Sequence, residues 1–176
     1  MAVPVADVVA GAVRDVPDFP RPGVVFKDLG PLFADPLAWA RVVAALAEDR
    51  TGAVDLVAGV EARGFVVGAA LAHVLGVGFV PVRKAGKLPG DTEQASYDLE
   101  YGSATIEVHT DAVPGGARVL LVDDVLATGG TAVAAWDLLE RVGARVVGFD
   151  CIVELGFLQG RSRLGDRPVR SLLTVP

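Results

Sequence analysis

Apolar residues fall into short continuous runs that alternate with segments of helical periodicity. Four runs have the length and the valine and leucine content of buried strands, and they lie at 54–60, 77–82, 118–122 and 145–153. A strand without polar alternation is covered on both of its faces. This order predicts an α/β fold, a mostly parallel central sheet flanked by helices.

Helices are predicted before and between these strands. Asp35–Pro36 is a strong helix start, because aspartate caps the first turn and proline fits the first helical position. That helix is expected to run to about Arg50, and Gly52 follows as its stop. Three further helices are expected, at 5–16, 64–75 and 130–142.

Other stretches lack this pattern. The segment from Pro17 to Gly23 holds three prolines and is expected to be irregular. Residues 83–95 are polar, rich in lysine, glycine and proline, and without periodicity. A hairpin with strands at 97–100 and 104–108 is expected next. The tail after it holds a short helical piece and an edge strand at 169–174.

Composition and charge narrow the class of protein. A length of 176 residues favours a single domain, and 52% hydrophobic residues exclude disorder. The 16 basic and 22 acidic residues give a net charge of −6, which argues against a general binder of nucleic acid or membrane surfaces. The single cysteine, Cys151, excludes an intramolecular disulfide and a cysteine-based metal cluster.

One uncharged stretch, residues 64–82, is long enough to raise the question of a membrane span. Its glycines and Pro81 break the apolar pattern, so a buried helix, a glycine turn and a buried strand are expected instead. The N-terminus shows no secretory signal pattern. A cytoplasmic location without membrane attachment is therefore expected.

The segment after the third strand carries the clearest chemistry. Glycine lets backbone amides point into a concavity, and the following helix start adds positive potential, which together suit a phosphomonoester. Asp123 and Asp124 precede this loop and can accept hydrogen bonds from vicinal hydroxyls, or attract a hydrated Mg²⁺ held mainly by a diphosphate. The alternative is a capped helix start beside two solvated acids. The loop residues are Ala127, Thr128, Gly129, Gly130 and Thr131.

The stretch from Val119 to Thr131 resembles the phosphoribosyl-diphosphate-binding motif of the type I phosphoribosyltransferases. Further segments, in the same order as in that family, make the chain similar to its adenine phosphoribosyltransferases. The likeness covers nearly the whole chain. These segments are Phe19–Asp28, Glu61–Phe65, Val80–Pro89 and Ser96–Gly102.

The resemblance implies an enzyme of purine salvage. Such enzymes transfer the 5-phosphoribosyl group from phosphoribosyl diphosphate to adenine, which gives AMP and diphosphate, and they use Mg²⁺. It also implies a homodimer. Within one domain over 1–176, it implies a hood at about 1–34 and a flexible lid at about 83–102. A lid excludes water from the reactive sugar.

Cations near two strand ends suit the diphosphate. Arg63 has a planar guanidinium that matches two phosphate oxygens, although it could instead be a surface arginine paired with Glu61. Arg83, Lys84 and Lys87 open the lid segment and suit an anionic leaving group, although they could equally belong to a solvated loop. The resemblance implies that these cations contact the diphosphate.

Assignments for the base depend on the resemblance. Phe26 would stack on the purine, the Val25 carbonyl would accept from the exocyclic amine, and the Lys27 amide would donate to N1. Glu100 would lie at N7 as general acid/base, and Tyr101 would shape the hood nearby. Two alternatives stay open: a transferase for 6-oxopurines, and a regulator that senses phosphoribosyl diphosphate without turnover.

Overall fold

The computed structural model describes residues 3–98 and 103–176. The helices are α1 (Val5–Ala12), α2 (Gly30–Ala34), α3 (Pro36–Ala47), α4 (Arg63–Leu75), α5 (Gly130–Arg141) and α6 (Gly160–Leu164), with a short 3₁₀ turn at Gly156–Leu158. The strands are β1 (Arg14–Pro17), β2 (Val25–Asp28), β3 (Leu56–Val60), β4 (Gly78–Lys84), β5 (Thr92–Asp98), β6 (Ser103–His109), β7 (Arg118–Leu126), β8 (Arg145–Leu155) and β9 (Val169–Val175).

Seven of the strands form one twisted layer in the order β5-β6-β4-β3-β7-β8-β9. The five strands from β4 to β9 along this order are parallel, and the hairpin of β5 and β6 adds an antiparallel edge. The predicted fold class, a mostly parallel sheet flanked by helices, is confirmed. β1 and β2 form a separate antiparallel ribbon.

The sheet separates two hydrophobic cores. On one face α1, α3 and α4 pack against β3 and β7, and on the other face α5 packs with residues of β6 and β8. Strand residues such as Leu120 and Leu121 are fully buried, one in each core. Coverage on both faces explains why these strands show no polar alternation.

Most helix predictions are confirmed. Asp35 caps α3, since its Oδ1 accepts from the amides of Leu37 at 2.9 Å and Ala38 at 3.1 Å. The stretch with the membrane-like composition forms α4, a left-handed turn at Gly76 and β4. Among the described residues, no helix is long and apolar enough to cross a bilayer.

The first predicted helix is too long. α1 ends at Ala12, and the residues after it leave the helix to form β1. β1 pairs with β2, so that Arg14 lies opposite Asp28 and Val16 opposite Phe26. The supposedly irregular proline segment is therefore only the connection of a two-stranded ribbon. Its partner strand is distant in sequence, which local periodicity does not reveal.

β7 is longer than predicted and includes both acidic residues. The strand was expected to end at Val122, but it continues through Asp123 and Asp124 to Leu126. β8 runs alongside over this extension, whereas pairing with β3 ends at Gly59 opposite Val122. The two carboxylates therefore lie on a strand that projects past its neighbour, at an open edge.

The predicted hairpin is present but starts earlier. β5 begins at Thr92 rather than Tyr97 and pairs with β6 from Thr92 opposite His109. Its polar sequence gave no strand signal, because this edge strand is only partly covered. Residues 99–102 lie outside the described part of the chain.

Candidate active site

A cavity of about 370 Å³ opens at the carboxyl ends of β3, β7 and β8. In parallel sheets this is the edge where ligands bind. β2 of the ribbon forms another part of its wall. The cavity is lined by Val24, Val25, Phe26, Lys27, Val60, Glu61, Ala62, Arg63, Tyr97, Asp123, Asp124, Val125, Ala127, Thr131, Leu155 and Leu158.

Arg63 lines this cavity from the first turn of α4. Its Nε is 2.8 Å from Oδ2 of Asp124, whose side chain is buried. The N–H does not point at that oxygen, which accepts no hydrogen bond in the described structure. The expected alternative partner of Arg63, Glu61, instead pairs with Arg83. Arg63 therefore stands among the candidate ligand-binding groups and not on a remote surface.

The two acids have an unusual electrostatic setting. Burial raises the pKa of Asp123 well above its usual range, and the adjacent Asp124 charge raises it further. Burial also raises the pKa of Asp124, although the Arg63 guanidinium opposes that effect. Oδ1 of Asp123 accepts the Asp124 amide at 2.9 Å. Hydroxyl donors or a cation at these carboxylates would therefore relieve a cost of burial.

The aromatic wall comes from β2. The Phe26 ring meets Phe19 edge-on at 5.1 Å, and the Arg63 guanidinium carbon lies 5.1 Å from the centre of the Phe26 ring. Val25 is half-exposed, and the Lys27 ammonium pairs with Asp15 at 2.7 Å. The three predicted base contacts therefore lie together on one strand that lines the cavity.

A smaller cavity of about 70 Å³ lies beside the first and shares part of its lining. It is surrounded by the loop that was predicted to hold a phosphate, including Ala127, Thr128, Gly129 and Thr131. Within this loop Gly130 begins α5, and Gly129 before it has a left-handed conformation at φ 80°. The first-turn amides of a helix have no acceptor within it. The loop therefore has the size and the donors for a phosphate group.

The lid cations are only partly brought to this site. Arg83 donates to Glu61 at 3.2 Å and to the Lys87 carbonyl at 3.2 Å, while Lys84 and Lys87 are exposed. These three residues do not line either cavity in the described structure. Arg83 is thus tied to the turn that carries Arg63.

The structure adds lining residues that the sequence reading missed. Tyr97 projects from the end of β5, and its hydroxyl accepts from Thr131 Oγ1 at 3.1 Å. Leu155 and Leu158 close the cavity from the side of β8. The only sequence signal for Tyr97 was its place in the segment just before Glu100. Glu100 and Tyr101 themselves lie outside the described residues.

Comparison with known proteins agrees with the geometry. The family model described as "Phosphoribosyl transferase domain" matches residues 34–170. The adenine phosphoribosyltransferase of Thermobifida fusca is 57% identical over 176 residues, which cover 99% of this chain and 100% of that protein.

Solved structures agree as well. The adenine phosphoribosyltransferase of Rhodothermus marinus matches with a TM-score of 0.91 and 48% identity, over 97% of this chain and 98% of that one. The Saccharomyces cerevisiae enzyme, crystallised with adenine and an imino-altritol bisphosphate, matches with a TM-score of 0.91 and 42% identity, over 96% and 99%. The predicted resemblance is confirmed. The chain belongs to the phosphoribosyl transferase family and, within it, to the adenine phosphoribosyltransferases.

Proposed function

We propose that this protein transfers the 5-phosphoribosyl group from phosphoribosyl diphosphate to adenine, which yields AMP and diphosphate. The observation that carries the proposal is the pair of adjoining cavities that bring together an aromatic strand, two carboxylates, Arg63 and a phosphate-sized loop. The family assignment and the adenine complex of the yeast relative support the choice of base.

The loop Ala127–Thr131 would hold the 5′-phosphate through its amides and the hydroxyls of Thr128 and Thr131. The volume of about 70 Å³ and the helix start at Gly130 support this role. Asp123 and Asp124 would then accept hydrogen bonds from the two ribose hydroxyls. Each such bond stabilises the charged carboxylate, so this binding is expected to strengthen as the pH rises through the raised pKa values.

Arg63 would exchange its present partners for the diphosphate. Its guanidinium now lies between Asp124 and the face of Phe26, and its side chain is 41% exposed, so it can turn without unpacking a core. A diphosphate offers two oxygens to the planar guanidinium, which the poorly aligned contact with Asp124 does not. The move would also uncover the Phe26 ring for the base.

The base would lie against Phe26, between β2 and Leu158. Stacking on the aromatic ring contributes about 1–3 kcal/mol in comparable contacts. Val25 and Lys27 would supply the backbone acceptor and donor that fit a 6-aminopurine, and a 6-oxopurine would leave them mismatched. Glu100 would handle the proton at N7 while N9 attacks C1 of the sugar.

Mg²⁺ is the proposed cofactor. In the described ranges no three or more acidic, histidine or cysteine side chains cluster as a metal site. The unsatisfied oxygen of Asp124 and the adjacent Asp123 fit a hydrated ion that the diphosphate holds for the most part. When bound, such an ion neutralises the charge of the leaving diphosphate.

The segment after β4 is the proposed lid, and its hinge is well anchored. Buried Glu107 on β6 accepts the amides of Lys87 and Leu88, both at 2.8 Å. Arg83 is held by Glu61 at the start of the same segment. From this fixed backbone the exposed side chains of Lys84 and Lys87 would turn toward the diphosphate.

The protein is also proposed to be a homodimer and to act in the cytoplasm. Support for a dimer comes from α4, where Val66 and Val74 are 46% and 57% exposed on a largely apolar helix. A second copy would cover such a face. Sedimentation velocity is expected to show a dimer, and Val74→Asp a shift toward monomer. A monomeric wild-type chain would contradict this.

Steady-state turnover with phosphoribosyl diphosphate and Mg²⁺ tests the proposal. Adenine, hypoxanthine and guanine are offered separately, and the nucleotide product is resolved by chromatography. Glu100→Ala is assayed alongside Glu93→Ala, a matched control that removes a half-exposed carboxylate from the same hairpin. AMP from adenine alone is expected, with turnover suppressed only in Glu100→Ala.

Two results would overturn parts of the proposal. Product from a 6-oxopurine would contradict the base contacts assigned to Val25 and Lys27 while leaving the phosphate site intact. Tight binding of phosphoribosyl diphosphate without turnover of any base would indicate a sensor.

A further inference from the structure

The segment Gly156–Leu164, named here the strap, touches both ends of the candidate site. It consists of the 3₁₀ turn and α6, between β8 and β9. Leu158 in its first turn lines the large cavity on the proposed base side. Gly160, two residues later, lies beneath the loop proposed to hold the phosphate. One short segment thus forms part of the base wall and the floor of the phosphate loop.

The contact between the strap and the phosphate loop is made by backbone against backbone. A methyl group on Gly160 would lie 2.1 Å from the Ala127 carbonyl oxygen and 3.0 Å from the Gly129 nitrogen. A methyl group on Gly129 would lie 2.4 Å from the Gly160 carbonyl oxygen. Neither position tolerates a side chain unless the loop moves. The position of the strap therefore fixes the conformation of the loop.

The strap is held in place by a buried carboxylate. Glu154, 5% exposed near the end of β8, accepts two hydrogen bonds from Arg161 at 2.9 and 2.5 Å and one from Ser171 at 2.8 Å. Arg161 also donates to the Val169 carbonyl at 2.8 Å. This paired geometry joins β8, the strap and β9. Arg161 follows Gly160 directly, so its position determines how Gly160 meets the loop.

We infer that Glu154 and Arg161 are positioning residues for substrate binding. Neither residue lines the two cavities. They act through Gly160 on the phosphate loop and through Leu158 on the base wall. The inference rests on the proposed function for the identity of the ligands, since it assigns the loop to the 5′-phosphate.

Removing the ion pair in two steps separates positioning from stability. Among the described residues, Arg161→Met leaves the buried Glu154 with Ser171 as its remaining side-chain donor, so it is expected to lower both stability and ligand binding. The double variant Glu154→Gln with Arg161→Met removes both charges and recovers much of the stability. Arg50→Met is the matched control, because Arg50 donates to Asp150, another buried acid of β8, at 2.6 and 3.2 Å, and neither residue lines the two cavities.

Three quantities are measured for each variant: the melting temperature, the dissociation constant of ribose 5-phosphate by calorimetry, and the KM and kcat values for both substrates. In the double variant we expect the melting temperature near wild type, the dissociation constant and both KM values raised about 10-fold or more, and kcat changed less than about two-fold. Arg50→Met is expected to change only the melting temperature.

A purely structural role would give another pattern. Recovery of ribose 5-phosphate binding together with the melting temperature in the double variant would overturn the inference, as would a loss of kcat at unchanged KM. The calorimetric measurement of ribose 5-phosphate binding does not depend on adenine. If the wild-type chain bound ribose 5-phosphate but turned over no adenine, the proposed reaction would fail while the role of the strap stayed testable.

Discussion

Four acidic side chains are buried in the described part of the chain, and they occupy two different kinds of surroundings. Glu107, Asp150 and Glu154 are each surrounded by donors. Asp150, for example, accepts from two arginines through contacts as short as 2.6 Å. Asp124, beside Asp123, has one oxygen that accepts no hydrogen bond. The saturated acids hold the fold together, and the unsaturated pair lies where a ligand is proposed to bind.

Their titration differs in the same way. Burial alone would raise the pKa of Glu107, but donors from residues 86–88 and Gln94 outweigh it and lower that pKa. The hydrogen bond from Arg161 lowers the pKa of Glu154. Burial instead raises the pKa values of Asp123 and Asp124. The fold therefore favours the charged form of Glu107 and Glu154 and disfavours that of Asp123 and Asp124, as expected where a ligand completes the coordination.

Arg63→Ala should have the largest effect, because it removes the cation from the unsaturated site. We expect kcat/KM for phosphoribosyl diphosphate to fall about 100- to 1000-fold, the range seen when a preorganised donor to developing charge is lost. Steady-state kinetics at saturating adenine measures it. Arg63→Lys keeps the charge but loses the planar donor geometry, so its kcat/KM should lie between those of Arg63→Ala and the wild type.

A loss below about ten-fold in Arg63→Ala would contradict a diphosphate role for this residue. Arg118→Ala is the matched control. It removes an arginine ion pair with Asp55 at the opposite end of β7. Its activity at 25 °C should equal that of the wild type.

Glu107→Ala tests the saturated side of the comparison. The substitution leaves the amides of Lys87 and Leu88 and the amide group of Gln94 without their acceptor. We expect the free energy of unfolding to fall by about 2 kcal/mol in a urea titration at pH 7. Glu93→Ala on the facing strand is the control, with a change near zero.

The pH dependence of this effect has a defined sign. Because the folded state lowers the Glu107 pKa, its contribution is complete above the ordinary value of 4.5 and is lost as the pH falls through the lower folded value. The difference between Glu107→Ala and wild type should therefore shrink below pH 4.5. A constant difference down to pH 2 would show that packing, and not the carboxylate, matters here.

Asp123→Asn is expected to stabilise the folded protein while weakening its activity. Asparagine keeps an acceptor for the Asp124 amide but removes the carboxylate charge next to the buried Asp124. The melting temperature should rise by a few degrees, which corresponds to about 0.5–1 kcal/mol. Because the folded pKa is raised, the wild type loses stability as the pH rises above 3.8, so the gain should be present at pH 7 and vanish in acid.

Activity supplies the second half of that test. The same variant should raise KM for phosphoribosyl diphosphate, since an amide is a poorer acceptor for a ribose hydroxyl. A variant that melts lower than the wild type at pH 7 would refute the account of an unsatisfied pair. Asp55→Asn, at the opposite end of the neighbouring strand β3, serves as the comparison, because the pKa of Asp55 is lowered to about 2 and its loss should destabilise.

Much of this arrangement was predictable from local patterns. The cap at Asp35, the turn at Gly76 and the strand-to-helix loop at 127–131 each depend on residues close in sequence, and each was found where expected. The features that were predicted incorrectly, or not at all, depend on partners that are distant in sequence. β7 continues to Leu126 because β8 pairs with it over that stretch. Glu61 forms its ion pair with Arg83 and not with Arg63, because β4 ends next to β3. Tertiary pairing overrides local signals at such points.

Tyr97→Phe is the mildest of the site substitutions in its expected effect on activity, and it probes a link that local sequence patterns do not indicate. The hydroxyl joins the end of the hairpin to Thr131 of the phosphate loop at 3.1 Å, close to where the chain leads to Glu100. Loss of one neutral hydrogen bond costs about 0.5–1.5 kcal/mol, so kcat/KM for phosphoribosyl diphosphate should drop about two- to ten-fold. Ser96→Ala removes a comparable hydroxyl pair with Thr105 on the exposed side of the same hairpin and should change nothing. Equal losses in both variants would mean that the hairpin contributes general stability, whereas a loss confined to Tyr97→Phe would tie the hairpin to the phosphate loop.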